Sequence, residues 1–377
     1  MVPPIFLAIL AAFLLLRPPW IFGQGMVDEE IYFAAEEKLL LQFDINDPGN
    51  KLSLLDDLEG TSMILKVKNP AGRTIGVFKP TSGNTSHVSE IVAYRLCRRL
   101  KLPVCAPTIH KTLSLETIDR FTELMEQHEF KSEKGSRHKG HYLAKERFRK
   151  ALLEKLDATQ SLPGAFKSWI SPLILYEGLG RISSARKHPV HEFLSYDGPI
   201  VSDEAFELSQ CTQIYKPHGC YRAEIKLRAL AEQFTGVLVV DALIGNNDRF
   251  SGGNMHLFSL EGRYVQESEG RYLLPSPSLL MLDNGSGFMR NPQGGLNVLT
   301  RKLKITRFAR RQFDGLFQLW NDFRHDRKRV MAELGLIDSY EHAGKTFKPA
   351  DVFEKNLERL TLYLHKISSE YGEASWF

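Results

Sequence analysis

The fold is decided by residues 60–100, which read GTSMILKVKNPAGRTIGVFKPTSGNTSHVSEIVAYRLCRRL. Two short runs of apolar and β-branched residues, at 63–67 and 74–78, flank an Asn-Pro-Ala-Gly turn, and this arrangement predicts a β-hairpin. A polar loop follows the hairpin. Residues 89–100 then place apolar side chains at helical spacing. The stretch therefore predicts two strands, a loop and a helix, in that order.

Two charged residues stand where this predicted structure does not require them. Lys79 closes the second strand, and Glu90 stands near the start of the helix. A strand lysine paired with a helix glutamate orients the α- and β-phosphates of ATP in kinases. Each residue also has a simpler explanation: Lys79 can extend its charge into solvent, and Glu90 can complement the helix dipole.

A second candidate site follows residues 235–244, a continuously apolar stretch that predicts a buried helix. Residues 246–254, NNDRFSGGN, come directly after it, and residues 255–258 resume strand character. Asp248 could take or orient the proton of an attacking hydroxyl, and Asn254 could ligate a metal that bridges phosphates. A turn with Asx caps is the alternative interpretation.

The third candidate is Asp283, which ends a predicted strand over residues 279–282 and precedes Asn284 and Gly285. A carboxylate at such a position suits a magnesium ion, although an Asn-Gly pair also favours a plain hairpin turn. The order of the three candidates along the chain favours phosphoryl transfer. That chemistry needs a lysine, a helix glutamate and two aspartates, because its catalysis consists of positioning and charge neutralisation.

A loop that covers the phosphates should precede Lys79. Gly60, Thr61 and Ser62 stand directly before the predicted hairpin, so their backbone N–H groups could face phosphate oxygens. A similar-looking stretch, IYKPHG at 214–219, has no preceding hairpin. We interpret it as an unrelated loop.

The composition is that of an ordinary globular protein, with 43% hydrophobic and 25% charged residues among 377. A formal net charge of +4 is only mildly basic. Nucleic-acid binding requires a denser basic face with exposed aromatics, so no nucleic-acid partner is expected. The basic stretch KSEKGSRHKGH at 131–141 is interpreted as an exposed loop.

The remaining patterns are mainly helical. Helices are predicted for five segments: 34–41, 52–58, 223–233, most of 114–160, and the region from 301 to the end. Strands are predicted at 104–109 and 169–175. Residues 180–220 look rich in loops.

Residues 1–25 form a separate segment. Their apolar run at 5–16 is long enough for the core of a signal peptide but shorter than the ~20 residues of a spanning helix. Gly23 and Gly25 mark a cleavage site before Met26. The alternatives are a retained short anchor and a cytosolic protein that starts at Met26.

Four cysteines stand in two close pairs, Cys97 with Cys105 and Cys211 with Cys220. In an oxidising compartment these pairs permit two local disulfides. A buried free thiol is the alternative for Cys97. The spacing lacks the CxxC pairs of structural zinc sites, which argues against a metal bound through sulfur.

Four segments resemble the Golgi secretory-pathway kinases, the family of the Golgi casein kinase and the glycan xylosylkinase. They are GVFKPTSGNTSHVSEIVAYRLCRRLKLPVCAPTIHK at 76–111, KSWISPLILYEG at 167–178, VDALIGNNDRF at 240–250 and LLMLDNGSGF at 279–288. The similarity spans residues 60–110 and 165–310. The chain departs from the family pattern in two ways: Phe250 stands where the family usually has histidine, and fewer cysteines follow the first lobe.

This resemblance implies an α+β, bilobal, protein-kinase-like fold that uses ATP with Mn²⁺ or Mg²⁺. Carried over by position, Lys79 and Glu90 form the ion pair and Asp248 is the catalytic carboxylate. Asp283 is the metal ligand, and Asn254 is matched to a second metal-ligating position. The expected acceptors are Ser or Thr hydroxyls of secreted proteins, or proteoglycan sugars.

The expected organisation has four parts, in chain order: a signal peptide at 1–25, a helical segment at 26–58, a small β-rich N-lobe at 59–178 with a helical insertion at about 114–160, and a larger, mainly helical C-lobe at 179–377. The Golgi lumen or the extracellular space is the expected location. The expected partners are a secreted protein or a glycan, with no stable membrane span. A dimer with a second copy or with another secretory kinase is one arrangement that the resemblance allows.

Two alternative functions come from related resemblances. The hairpin GTSMILKVKNPAGRTIGVFKP at 60–80 is also similar to type II phosphatidylinositol 4-kinases, and NNDRF at 246–250 is similar to the actin–fragmin kinase. These similarities give the alternative of a cytosolic lipid or cytoskeletal kinase. A pseudokinase scaffold is the second alternative.

Asn84 and Asn284 both begin glycosylation sequons. A glycan on Asn284 would stand beside the predicted metal ligand Asp283. We therefore expect the turn at Asn284 to fold inward and the residue to remain unmodified.

Overall fold

The computed structural model describes residues 29–55, 63–126, 152, 156, 160–171, 173–195, 205–212, 218–289 and 291–377. Several predictions fall outside these residues: the signal peptide, the phosphate loop at 60–62, the basic loop at 131–141 and most of the helical insertion. The described part of the insertion begins with a helix, as predicted.

A five-stranded antiparallel sheet forms the N-lobe, with the strand order β1-β2-β3-β5-β4. Its strands are β1 (Lys51–Leu54), β2 (Leu65–Lys68), β3 (Thr74–Pro80), β4 (Thr108–Ser114) and β5 (Ser161–Ser168). The predicted hairpin is formed by β2 and β3, with Leu65 opposite Phe78. Strand β5 then pairs with the other side of β3 and places Ala165 opposite Lys79.

The two faces of this sheet have different environments, because neighbouring residues of a strand point to opposite sides. Phe78 and Phe166 belong to an apolar core with side chains from α1 (Glu29–Gln42) and α3 (Leu115–Glu126). Lys79 and Lys167 therefore point the other way. On that side they meet α2 (His87–Arg99), which lies between the sheet and the C-lobe.

The C-lobe surrounds α7 (Leu227–Ile244), in which 15 of the 18 residues are buried. A helix that is apolar on all sides is stable only inside a core. The other C-lobe helices are α4 (Glu177–Gly180), α5 (Ile182–Ala185), α6 (Pro189–Leu194), α8 (Gly294–Asn297), α9 (Arg310–His325), α10 (Arg327–Leu334) and α11 (Pro349–Tyr371). Of these, α6, α8 and α11 pack directly on α7.

Smaller sheets complete the C-lobe. One has the order β12-β9-β6, from β6 (Leu173–Leu175), β9 (Met255–Ser259) and β12 (Pro277–Met281). Another has the order β10-β11-β8-β7, from β7 (Ala205–Thr212), β8 (Gly219–Lys226), β10 (Val265–Ser268) and β11 (Arg271–Leu273). A hairpin joins β13 (Tyr340–His342) and β14 (Lys345–Phe347). The strands β9 and β12 were both predicted, and their antiparallel pairing brings the chain after α7 beside the chain before Asp283.

Both predicted cysteine pairs form disulfides. Cys97 in the last turn of α2 is bonded to Cys105, which precedes β4. Cys211 and Cys220 stand directly opposite each other on β7 and β8 and are bonded across that hairpin. The alternative of a free thiol at Cys97 is therefore wrong.

Several predictions about local structure are wrong in part. The strand predicted at 104–109 begins only at Thr108, and of the described residues in the strand predicted at 169–175 only Leu173–Leu175 form a strand. The helix predicted at 52–58 is strand β1 over its described residues, because Lys51 to Leu54 pair with β2 at the edge of the sheet. The helix predicted at 223–233 begins only at Leu227, since Ala223 and Ile225 turn inward from strand β8. The region 180–220 contains two short helices and β7 among its described residues.

The predicted fold class is confirmed: a small β-rich lobe precedes a larger, mainly helical lobe. Among the described residues, none of the helices is long and apolar enough to cross a membrane.

Candidate active site

Lys79 and Glu90 are in direct contact, Nζ to Oε1. Strand β3 delivers Lys79 from the sheet, and Glu90 lies in the first turn of α2. Only 4% of the Lys79 side chain and none of the Glu90 side chain is exposed. A buried charge is costly unless an opposite charge compensates it, so burial stabilises the contact between Lys79 and Glu90.

A second lysine, which the sequence analysis did not single out, shares the same carboxylate. Lys167 on β5 donates from Nζ to Oε2 of Glu90 at 2.6 Å, and its side chain is 5% exposed. Its position follows from the sheet register, in which Lys167 stands opposite Val77, two residues from Lys79 on β3. In the sequence, Lys167 is a single lysine after Ala165 and Phe166, and nothing in this local pattern indicates that it pairs with Glu90.

The pKa values of this cluster follow from burial and mutual attraction. Burial alone would lower the pKa of Lys79, but the carboxylates of Asp283 and Glu90 raise it above its usual value. Burial alone would raise the pKa of Glu90, but Lys167 and Lys79 hold it far below its usual range. For Lys167 burial prevails, and its pKa is lowered although Glu90 opposes the shift.

Asp283 joins this cluster from the C-lobe. It follows β12 in the left-handed region with φ of 53°, a conformation that aspartate tolerates better than most residues. Its Oδ1 accepts a hydrogen bond from Lys79 Nζ at 2.8 Å, and its side chain is 36% exposed. The structure thus brings Lys79, Glu90 and Asp283 together and leaves the Asp283 carboxylate in contact with solvent.

The loop after α7 carries Asp248 and Asn254. Helix α7 ends at Gly245, whose φ of 72° turns the chain away from the helix axis. The half-buried Asp248 donates its N–H to Asn246 Oδ1 at 3.1 Å. Its carbonyl accepts from Asn254 Nδ2 at 3.0 Å, so the amide oxygen of Asn254 is the atom left for a ligand. A short 3₁₀ turn, Arg249–Ser251, lies between them.

Arg249 connects this loop to the segment around Asp283. The side chain is fully buried, and its Nε and Nη2 donate to the two carboxylate oxygens of Asp241 at 3.0 and 3.1 Å. The Nη1 group donates to the carbonyl of Asn254 at 2.8 Å and also to the carbonyl of Leu282. The Nη2 group donates in addition to Asn284 Oδ1. All five N–H donors of the guanidinium are used. The sequence around Arg249 contains no local signal for this role.

Backbone contacts hold the two candidate loops side by side. The N–H of Leu282 donates to the carbonyl of Asn254 at 3.2 Å, which places Asn254 next to the residue before Asp283. On the other side, the N–H of Ser86 donates to the carbonyl of Gly285 at 2.7 Å. A Cβ at Gly285 would come within 2.2 Å of Thr85, so only glycine fits this approach. The start of α2 is thereby fixed to the turn that follows Asp283.

The remaining predictions about the site have mixed outcomes. Gly60, Thr61 and Ser62 lie outside the described residues, and the next described residue, Met63, donates its N–H to Ser82 Oγ at 2.9 Å. Asn284 is 2% exposed, and its turn folds inward as predicted.

Phe250, which departs from the family pattern, packs edge to face against Phe234 of α7 with ring centroids 6.4 Å apart. The aromatic ring thus anchors the loop to the C-lobe core. No group of three or more His, Cys, Asp or Glu side chains suited to a metal occurs in the part of the chain that the structure describes.

Comparison with known proteins supports the fold. No protein-family model matches the chain, and no curated protein matches it in sequence. The crystal structure of the Golgi casein kinase superposes with a TM-score of 0.53 at 14% identity, over 95% of this chain and 94% of that one.

Two further structures match with lower scores. The Golgi casein kinase with Mn and ADP bound has a TM-score of 0.48 at 16% identity, over 95% of this chain and 94% of that one. The structure of hydra Fam20 with sugar has a TM-score of 0.43 at 13% identity, over 93% of each chain. The superposition on the Golgi casein kinase with a TM-score of 0.53 shows a kinase-like fold over 95% of the chain.

Proposed function

We propose that this protein is an ATP-dependent kinase of the secretory pathway that phosphorylates hydroxyl groups of secreted proteins or proteoglycan sugars. The observation that carries the proposal is the meeting of Lys79, Glu90 and Asp283 in one cluster at the junction of two lobes. These residues come from the three elements that a kinase uses to hold and neutralise the phosphates of ATP.

The donor chemistry of the site fits a divalent metal with a nucleotide. Asp283 and Asn254 offer a carboxylate and an amide oxygen, the hard oxygen ligands that Mg²⁺ and Mn²⁺ prefer. Few protein ligands are needed, because phosphate oxygens complete the coordination in such sites. Lys79 would contact the α- and β-phosphates, and Gly60, Thr61 and Ser62 would cover them. When bound, metal–ATP supplies the γ-phosphoryl group and part of the charge that neutralises it.

Asp248 would act on the acceptor. A carboxylate at this position orients the acceptor hydroxyl and takes up its proton as the new P–O bond forms. Backbone hydrogen bonds to Asn246 and Asn254 fix the Asp248 main chain, and Arg249 ties the loop to the strand end that carries Asp283. These contacts support a fixed distance between the acceptor-activating carboxylate and the metal ligand, which phosphoryl transfer requires.

The secretory location is supported by the two disulfides, since such bonds persist in oxidising compartments. The finer parts of the proposal are a cleaved signal peptide, residence in the Golgi lumen or secretion, and a dimer with a second copy or with another secretory kinase. Light scattering on the purified protein tests the dimer. Sequencing of the secreted N-terminus tests cleavage before Met26.

The activity is tested with protein purified from culture medium, incubated with labelled ATP and manganese. Casein, a xylose-primed glycan and phosphatidylinositol are offered as acceptors, and Asp283→Ala serves as the control. Label on casein or on the glycan, absent with the control, would support a luminal kinase and identify the acceptor class.

Two other outcomes would overturn the proposal. Label on phosphatidylinositol alone would favour a cytosolic lipid kinase and reopen the interpretation of residues 1–25. The absence of label on every acceptor, together with no nucleotide binding in a thermal-shift assay, would favour a pseudokinase scaffold.

A further inference from the structure

Lys167 has no role in the proposed chemistry, yet it occupies the centre of the site. The two oxygens of Glu90 are held by two different lysines: Oε1 by Lys79 and Oε2 by Lys167 at 2.6 Å. All three side chains are almost completely buried. A lone buried lysine–glutamate pair would already balance its charges, so a second buried lysine adds a desolvation cost that needs an explanation.

The two lysines differ in what else they contact. Lys79 Nζ also donates to Asp283 Oδ1 at 2.8 Å, which links the sheet to the C-lobe. Lys167 Nζ has no second hydrogen-bond partner among the residues that the structure describes. The two positive and two negative charges therefore balance, and they are joined by three ion pairs: Lys79 contacts both Glu90 and Asp283, and Lys167 contacts Glu90.

This division of contacts matters when a nucleotide binds, a step that rests on the proposed function. Asp283 would then face the metal, and Lys79 would turn toward the phosphates. If Lys79 were its sole partner, the fully buried Glu90 would have to share the positive charge of Lys79 with the phosphates. An uncompensated buried carboxylate is among the costliest arrangements in a protein. Lys167 removes this conflict because its contact with Glu90 does not depend on Lys79.

The position of Glu90 also determines the position of α2. The N–H of Ser86, which precedes α2, bonds to Gly285, and the Ser89 hydroxyl donates to the carbonyl of Gly287. Glu90 follows directly, so its carboxylate holds the first turn of α2 against the sheet, while Ser86 and Ser89 hold the same turn against the segment after Asp283.

We propose that Lys167 is a positioning residue that holds Glu90, and with it α2, in the inward position independently of Lys79. Lys79 is thereby able to exchange Asp283 for nucleotide phosphates without a movement of α2. Under this proposal the active arrangement of α2 is built in and requires no bound nucleotide.

The first test measures hydrogen exchange of the full-length secreted protein without nucleotide. Lys167→Met removes the charge and keeps the length of the side chain, and Lys167→Arg retains a cation that can pair with Glu90. We expect the backbone amides of α2 to exchange about tenfold faster in Lys167→Met, from the loss of one charge-assisted hydrogen bond, and near the wild-type rate in Lys167→Arg.

The control variant is Lys111→Met, which removes another lysine of the N-lobe. Lys111 donates to the backbone carbonyls of Leu41 and Phe43, outside the site. Its variant should leave exchange in α2 unchanged. Unchanged exchange in Lys167→Met as well would overturn the proposal. If Lys167→Met does not fold, Lys167→Gln, which keeps a hydrogen-bond donor, takes its place with the same expectation.

The second test measures Mn-ADP affinity by calorimetry in a double-mutant cycle. Lys167→Met should weaken binding about tenfold in the wild-type background and leave it unchanged in the Glu90→Gln background, because its effect passes through Glu90. Equal weakening in both backgrounds would overturn the proposal. So would full nucleotide affinity in Lys79→Met together with its loss in Lys167→Met, since Lys167 would then be the phosphate ligand.

The two tests separate this inference from the proposed function. If the wild-type protein binds no nucleotide, the kinase proposal fails. The exchange measurement, which uses no nucleotide, then still decides whether Lys167 holds α2 through Glu90.

Discussion

Two buried ionic clusters meet at residues 282–284, and they are built differently. In one, Lys79 and Lys167 surround Glu90, and Lys79 alone reaches Asp283. In the other, Arg249 binds the two neighbours of Asp283, through the carbonyl of Leu282 and the side chain of Asn284. The lysine cluster thus holds the carboxylate, and the arginine cluster holds the backbone on either side of it.

The difference follows from the chemistry of the two cations. Arginine is a planar fork with five fixed donors, and Arg249 uses all of them on Asp241, Asn284 and two carbonyls. Arg249 therefore has no N–H donor left for a ligand. Lysine is a point charge on a flexible stem, so Lys79 can change partners without a change in the fold. The arginine cluster should therefore carry stability, and the lysine cluster should carry function.

The largest expected effect tests the functional side. Asp283→Asn keeps the shape of the side chain and removes the charge that would hold the metal. We expect phosphoryl transfer to fall by about three orders of magnitude, because metal-bound charge neutralisation is lost. The measurement is labelled phosphate transfer to the acceptor found for the wild type.

The stability of the same variant sharpens the comparison. Its urea midpoint should stay close to that of the wild type, since the Asp283 side chain is partly exposed and its neighbours remain bound to Arg249. Transfer within tenfold of the wild type would contradict the role assigned to Asp283.

The next effect tests the structural side. Arg249→Met would leave Asp241 as a buried carboxylate without its counter-charge, which costs about 3–5 kcal/mol of the free energy of unfolding. Urea denaturation followed by circular dichroism measures this loss of the free energy of unfolding.

The matched control for Arg249 is Arg222→Met. Arg222 also contacts several carboxylates, Glu207, Glu224 and Glu267, but it lies on an exposed sheet. Exposed ion pairs contribute little because solvent screens them, so this variant should be nearly as stable as the wild type. An equal loss of stability in both variants would remove the distinction between the clusters.

A smaller effect is expected at Asn284. Asn284→Ala removes the side chain that accepts from Arg249 Nη2, and a hydrogen bond to a charged group contributes about 1.5–3 kcal/mol. Asn84→Ala, in the other sequon, should cost less than about 0.5 kcal/mol because Asn84 lies half-buried in a loop. Thermal and urea unfolding of the two variants give the comparison.

Glycan mapping gives an independent check on Asn284. Since the residue is 2% exposed in the fold, peptide mapping of active protein should find it unmodified. Full occupancy of Asn284 in an active preparation would contradict the inward position of the turn and the assignment of Asp283 beside it.

The smallest effect concerns pH. The pKa of Glu90 is held far below its usual range, so mild acid should leave the lysine cluster charged. His188 differs: burial lowers its pKa from 6.5 to about 4, and its Nδ1 accepts the N–H of Val190 at the start of α6. The unfolded chain binds this proton more tightly than the folded one. The contribution of His188 to stability is therefore fully present above about pH 6.5 and is lost as the pH decreases toward 4.

We expect His188 to account for about 1–2 kcal/mol of the stability lost between pH 7 and pH 5. His188→Asn keeps an N-cap acceptor that does not titrate in this range. Its stability should fall less over the same interval, as measured by urea denaturation at each pH. An identical pH profile for both proteins would exclude His188 as a source of acid sensitivity.

Much of the site could be selected from the sequence because its residues stand where one pattern gives way to another. Lys79 closes an apolar strand, Asp248 follows an apolar helix, and Asp283 ends a strand before a glycine turn. At such boundaries a charged residue is conspicuous. The hairpin of β2 and β3, the helix α2 and the two strands β9 and β12 were predictable for the same reason, since each has a clear period bounded by turn residues.

The sequence by itself determined the order of elements and the residue types available for chemistry. The tertiary structure decided which of them meet. Lys167 became part of the site through the pairing of β5 with β3, and β1 became a strand through its pairing with β2. Arg249 became structural through five hydrogen bonds to Asp241, Asn254, Leu282 and Asn284. Contacts between residues distant in sequence depend on register and burial, and a local pattern of side chains contains neither.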